Sequence, residues 1–175
     1  VQILLEHITT VMYIHITVVI SRADGIRADL TINQSFQMPL TLTLTEGVLP
    51  KGSEKIALAR LSESMLKWHG LTGNKVMTPN VVGSIHVLDK STTFSGSQET
   101  PIAVIEWKVP SFAFATRDIQ TGYIAEATDL IHEMSDGKQA KSHIWVNVVH
   151  AVDGAWGIGG AALTNAQLSE AISKG

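Results

Sequence analysis

Pro39-Leu-Thr-Leu-Thr-Leu-Thr45 alternates apolar and hydroxyl side chains with a period of two, the pattern of a strand with one buried and one open face. Working outward, Gly47 and Pro50-Lys-Gly52 make a turn. Ser53 and Glu54 then open a helix running to about His69, with Ile56, Leu58, Leu61, Met65 and Trp68 as its apolar positions and Gly70 and Gly73 ending it. Val81 to Leu88 is a second strand broken by Gly83, and Ser91 to Thr100 is rich in turns. The plan restarts at Pro101-Ile-Ala-Val-Ile-Glu-Trp107, a strand that again begins at a proline and is broken by Pro110 and Ser111. Thr116 caps a helix to about Met134, Gly137 stops it, and His143-Ile-Trp-Val-Asn-Val-Val149 is the fourth strand. Asp153-Gly154 marks a turn, Trp156 to Gly160 a glycine-rich ribbon, and Asn165 to Lys174 a short C-terminal helix.

Two tandem β-α-β units, about residues 39–98 and 99–160, predict an α/β (α+β) fold with a four-stranded mixed sheet and two helices on one face. The open face of such a sheet needs a cover, and self-association is the cheapest one. Residues 1–37 stand apart as a leader or extension. Ile3 to Ile20 is rich in β-branched residues but too short and too interrupted, by Glu6, His7 and His15, for a comfortable membrane helix. It lacks the basic start and small-residue cleavage pattern of a secretory signal. Ser21 to Gln37 reads as a linker. Two readings stand: an added strand or disordered leader, or upstream sequence ahead of a true start at Met38-Pro39. Val1 in place of an initiator Met suits a fragment or an alternative start codon.

The chain has 175 residues, 45% of them hydrophobic and 17% charged, with a formal net charge of −3. That size fits one domain or two small fused units around one core. A pI near 6.2 with interspersed charges carries no basic footprint for nucleic acid or for a membrane surface. The absence of cysteine removes thiol nucleophiles, disulfide scaffolds and thiolate metal sites, and fits a cytoplasmic location. The seven histidines show no metal-ligand spacing. Gly157-Ile-Gly-Gly160 lacks the lysine and strand–loop–helix setting of a phosphate cradle, and there is no Gly-x-Ser-x-Gly elbow.

Two β-α-β units, each strand beginning at a proline and the first directly behind a Met, resemble the tautomerase superfamily. That family includes 4-oxalocrotonate tautomerase, malonate semialdehyde decarboxylase, the chloroacrylic acid dehalogenases and macrophage migration inhibitory factor. His69-Gly-Leu-Thr-Gly73 and His143-Ile-Trp-Val146 are similar to stretches of the cis dehalogenase. Asp153-Gly-Ala-Trp-Gly-Ile-Gly159, with Leu163-Thr164 behind it, resembles the decarboxylase tail, and Phe94-Ser-Gly-Ser-Gln-Glu-Thr-Pro101 the mid-chain loop of macrophage migration inhibitory factor. The resemblance covers Pro39 to Gly175 and leaves residues 1–37 unexplained.

The resemblance implies a cofactor-independent tautomerase that moves a proton on a small oxo acid or enol, assembled as a homotrimer with sites between subunits. It implies that Pro39, freed of Met38, is the base. A free α-amino group titrates near 8, and burial beside cations brings it toward neutrality. Taken alone, Pro39 merely starts a strand, as proline often does, and inside a chain its nitrogen is an amide without basicity. Lys75 and Lys108 are the implied carboxylate-binding cations. Where the family places arginines near Lys108, this chain has Val109 to Phe112, and a lysine lacks the bidentate fork of arginine. The resemblance carries Asn147 to a position that reaches a neighbouring subunit's proline, Trp145 to a pocket wall and His69 to the edge of the pocket. Sheet packing accounts equally for Asn147 and Trp145. The helix dipole accounts for His69, and Arg117 reads as surface charge. No carboxylate stands at the places matching the water-activating acids of hydratase-type members, near Ala155-Trp156 and Lys75-Val76, which favours tautomerisation over dehalogenation or decarboxylation. The other reading is a ligand-binding or interaction protein on the same scaffold. Neither metal nor cofactor is implied.

Overall fold

The structure is a computed structural model that describes residues 37–175, so the leader, apart from Gln37, lies outside the described residues. The elements in chain order are β1 (Met38–Thr45), α1 (Glu54–Trp68), β2 (Val81–Leu88), β3 (Phe94–Ser95), β4 (Gln98–Glu99), β5 (Ala103–Pro110), α2 (Arg117–Met134), β6 (Ile144–Ala151), β7 (Trp156–Ile158), β8 (Ala161–Leu163) and α3 (Asn165–Ile172). The sheet order is β2-β1-β5-β6. β1 runs parallel to β2 and β5 parallel to β6, while the central pair β1 and β5 is antiparallel. Each parallel pair is joined through one long helix, as a crossover connection requires.

Alternation decides which side of the sheet becomes the core. Leu40, Leu42 and Leu44 of β1 and Ala103, Ile105, Trp107 and Val109 of β5 are all buried. They meet Ala57, Leu61 and Met65 of α1 and Tyr123, Ala127 and Ile131 of α2. The Trp107 indole donates its Nε1–H to the Tyr123 hydroxyl at 2.6 Å, so the largest core side chain leaves no polar group orphaned. Burial pushes the Tyr123 pKa up, the indole hydrogen bond opposes the rise, and the nearby Glu126 charge adds to it. The two helices approach closely because Gly122 has no side chain: a Cβ there would stand 2.0 Å from the Trp68 ring. The Trp68 indole reaches across to donate to Glu126 at 2.8 Å. The Lys67 ammonium, also on that carboxylate, is the main reason Glu126 stays ionised to lower pH than usual.

Local chemistry departs from the expected plan in three places. Ser53 sits at the N-cap of α1, but its hydroxyl donates to the Pro50 carbonyl at 2.7 Å. The Glu54 carboxylate instead accepts the Gly52 N–H at 2.7 Å. Pro101 lies ahead of β5 rather than opening it, and β5 continues through Pro110. Pro110 pairs only with Ala151 of β6, because the ladder to β1 has ended before it, so its missing N–H costs no bond there. His143 falls in a single 3₁₀ turn, and β6 begins at Ile144. Thr116 caps α2 by accepting the Ile119 N–H at 3.4 Å.

Candidate active site

The outward face of the same sheet carries Pro39, Thr41 and Thr43 from β1. The β1–β5 register pairs Thr41 with Glu106 and Thr43 with Val104. One step beyond Leu40 and Trp107, that register sets Pro39 opposite Lys108. β6 then places Asn147 beside Glu106 and Val149 beside Lys108. Pro39 is tolerated in a central strand because it lies at the strand's start, ahead of the paired β5 residues.

Pro39 and Lys108 line one cavity of about 700 Å³, within the usual range of small-molecule sites. Its far wall is the ribbon from Ala155 to Gly159. That ribbon is held in place by its own hairpin, by buried Leu163 and Leu168, and by Asn165. The Asn165 backbone N–H donates to Asp153 Oδ1 at 2.6 Å and its side-chain amide to Ser111 Oγ at 2.8 Å. A capping box of Thr164 and Gln167 fixes the start of α3 directly behind it. Lys108 Nζ lies 3.3 Å from Glu106 Oε1, two residues away on the same face.

Pro39 follows Met38, the first residue of β1, which pairs with Val81 and is 4% exposed. In the chain as it stands the Pro39 nitrogen is therefore an amide, and Gln37 also lines the cavity. Lys75 is exposed in the turn ahead of β2 and does not line this cavity. Trp145 and Asn147 are exposed on the outward face, also outside the cavity of their own chain.

His69 does not line the cavity of Pro39. Its Nδ1 lies 2.8 Å from the Met65 carbonyl, and its Nε2 accepts the Phe114 N–H at 3.1 Å. The pair fixes the tautomer with the proton on Nδ1. Burial lowers the pKa of His69, and the bond to Met65 only partly offsets it. The imidazole thereby holds Phe114, a non-glycine residue at φ 53° whose carbonyl accepts from Gln120 Nε2 at 2.8 Å. Among the described residues no three His, Asp or Glu side chains gather into a metal site. No described helix is long and apolar enough to cross a membrane.

Two features of the site escape the sequence reading. Glu106, which does not line the cavity but is paired with Lys108 at its edge, was recoverable, because a strand puts positions two apart on one face. The apolar wall of Trp156 and Ile158 depends on where the ribbon returns, which no local pattern specifies.

No family model and no curated protein sequence matches the chain. Solved structures do match its fold. One, a protein solved after inactivation by 2-oxo-3-pentynoate, has a TM-score of 0.58 at 18% identity, covering 74% of this chain and 98% of its own. A fused 4-OT, described as an asymmetric trimer, has a TM-score of 0.57 at 19% identity, covering 71% and 94%. A macrophage migration inhibitory factor-like protein from Entamoeba histolytica has a TM-score of 0.53 at 13% identity, covering 69% and 93%. The chain therefore shares the fold of these structures, a four-stranded mixed sheet with its helices packed against it.

Proposed function

We propose that this chain is a cofactor-independent tautomerase that shifts a proton between carbon and oxygen of a small oxo acid or enol. The observation that carries the reading is the cavity in which Pro39 and Lys108 stand together at the start of the central strand pair. Release of Met38 turns the Pro39 nitrogen into a secondary amine, the general base of the reaction. Lys108 holds the substrate carboxylate and polarises the developing enolate. The neighbours described as trimers support a homotrimer. In it the exposed outward faces cover one another, and Trp145 and Asn147 of one copy approach the cavity of the next. Lys75 and His69 have no part in the step.

The second reading is a binding scaffold without catalysis. Its support is that Met38 is strand-paired and buried, leaving Pro39 an amide. Ketonisation of phenylenolpyruvate and 2-hydroxymuconate, followed by ultraviolet absorbance, separates the two. A chain beginning at Pro39 accelerates at least one of them, and Pro39→Ala loses about a hundredfold or more, within the range of general-base contributions. Equal rates for the two proteins leave the scaffold as the better account.

A further inference from the structure

We infer that the cavity selects an enol bearing one carboxylate and an apolar arm over a dicarboxylate, an inference that rests on the reading of this cavity as the substrate site. Among the described residues that line it, Lys108 is the one charged side chain. Its ammonium is shared with Glu106 at 3.3 Å, so the pair is close to neutral in the free site and turns negative once the first carboxylate is bound. A second carboxylate meets the Glu106 anion rather than a cation. The Nε2 of His150, which also lines the cavity, is engaged with the Ala113 carbonyl at 2.8 Å.

The opposite wall is apolar. Trp156 and Ile158 lie on one face of β7, partly buried against the core, with Val149 and Ala151 beside them. Packing against the core and the ties through Asn165 hold that wall in place without a ligand. A flat or branched apolar arm loses water against it, whereas a carboxylate placed there is desolvated with no partner. Lys108 also grips its single carboxylate as a point charge rather than as a fork. Trp156 and Glu106 are thus the specificity-determining residues, one attracting the arm and the other repelling a second anion.

Calorimetric binding of two stable analogues to the full 175-residue chain, 3-phenylpropanoate and adipate, tests this without requiring turnover. The expected result is a dissociation constant at least tenfold lower for 3-phenylpropanoate. Trp156→Ala should cut that preference at least threefold by weakening 3-phenylpropanoate alone, and Trp156→Phe should restore most of it. Glu106→Gln, an exposed-face change that does not touch the core, should tighten adipate severalfold. Equal or tighter binding of adipate overturns the inference, as does an adipate affinity indifferent to Glu106→Gln. A chain beginning at Pro39 that has no tautomerase activity, beside a preference for 3-phenylpropanoate, keeps the selectivity and defeats the tautomerase reading. Activity in the chain beginning at Pro39, beside a preference for adipate, does the reverse.

Discussion

The two faces of one sheet divide the molecule's work. On the inward face Leu40, Leu42, Ile105 and Trp107 are apolar and have lost essentially all contact with water. On the outward face the same two strands carry Pro39, Thr41, Thr43, Glu106 and Lys108 at the intervening positions. Period two is thus what allows one strand to anchor a core and present chemistry without compromise between them. Inward residues account for the fold, and outward residues near the strand start account for the cavity. Substitutions that move between these faces should produce different kinds of failure.

The largest expected effect is on the inward face. Trp107→Ala removes the biggest buried side chain and orphans the Tyr123 hydroxyl, which should cost about 3–5 kcal/mol. Thr43→Ala, on the outward face of the neighbouring strand, should stay within about 0.5 kcal/mol. Urea titrations of both read the difference, and comparable losses would break the comparison. Next, Lys108→Ala should lower kcat/KM for an enol acid about a hundredfold, about 2.7 kcal/mol, with stability almost unchanged. Lys75→Ala, outside the cavity, should leave kcat/KM within about twofold, about 0.4 kcal/mol.

Met38 joins the two faces. Its side chain is in the core, while its removal is what frees the amine on the other side of the backbone. A chain beginning at Pro39 should therefore be less stable than one retaining Met38, by up to about 1.5–3 kcal/mol for a buried methionine. Thermal melts of the two forms measure this, and equal midpoints would mean that Met38 contributes nothing to the core.

The smallest effect concerns His69, which bridges the end of α1 to the loop before α2. Its folded pKa lies below the unfolded value near 6.5 because burial disfavours the charged ring. The unfolded chain then binds the proton more readily, so stability is complete above that value and falls as pH drops through the folded pKa. Protonation also abolishes the lone pair that accepts the Phe114 N–H. His69→Gln should flatten the stability profile between pH 7 and 5 in denaturant titrations. An unchanged slope would remove His69 as its source.

Much of the fold was legible because its signals are local. The leucine–threonine alternation after Pro39, the run from Val81 to Leu88 and the Thr116 cap each specify an element by themselves. The boundaries of β5 were not legible, because Pro110 is acceptable only once the neighbouring ladder has ended. Of the candidate residues, Pro39 and Lys108, both set by strand position, fall on one cavity. His69 went to a structural role because its two ring nitrogens find partners 4 and 45 residues away, and the second pairing exists only in the folded loop. The wall of Trp156 and Ile158 was hidden for the same reason. Asn165 ties the ribbon back to Asp153 and Ser111, and neither contact has a sequence signature.

The central claim is that the Pro39 nitrogen works as an amine. Intact-mass measurement of the protein purified from its native host tests this most directly. The account predicts a polypeptide that begins at Pro39. A mass corresponding to retention of Met38, or of the segment from Val1, would contradict it.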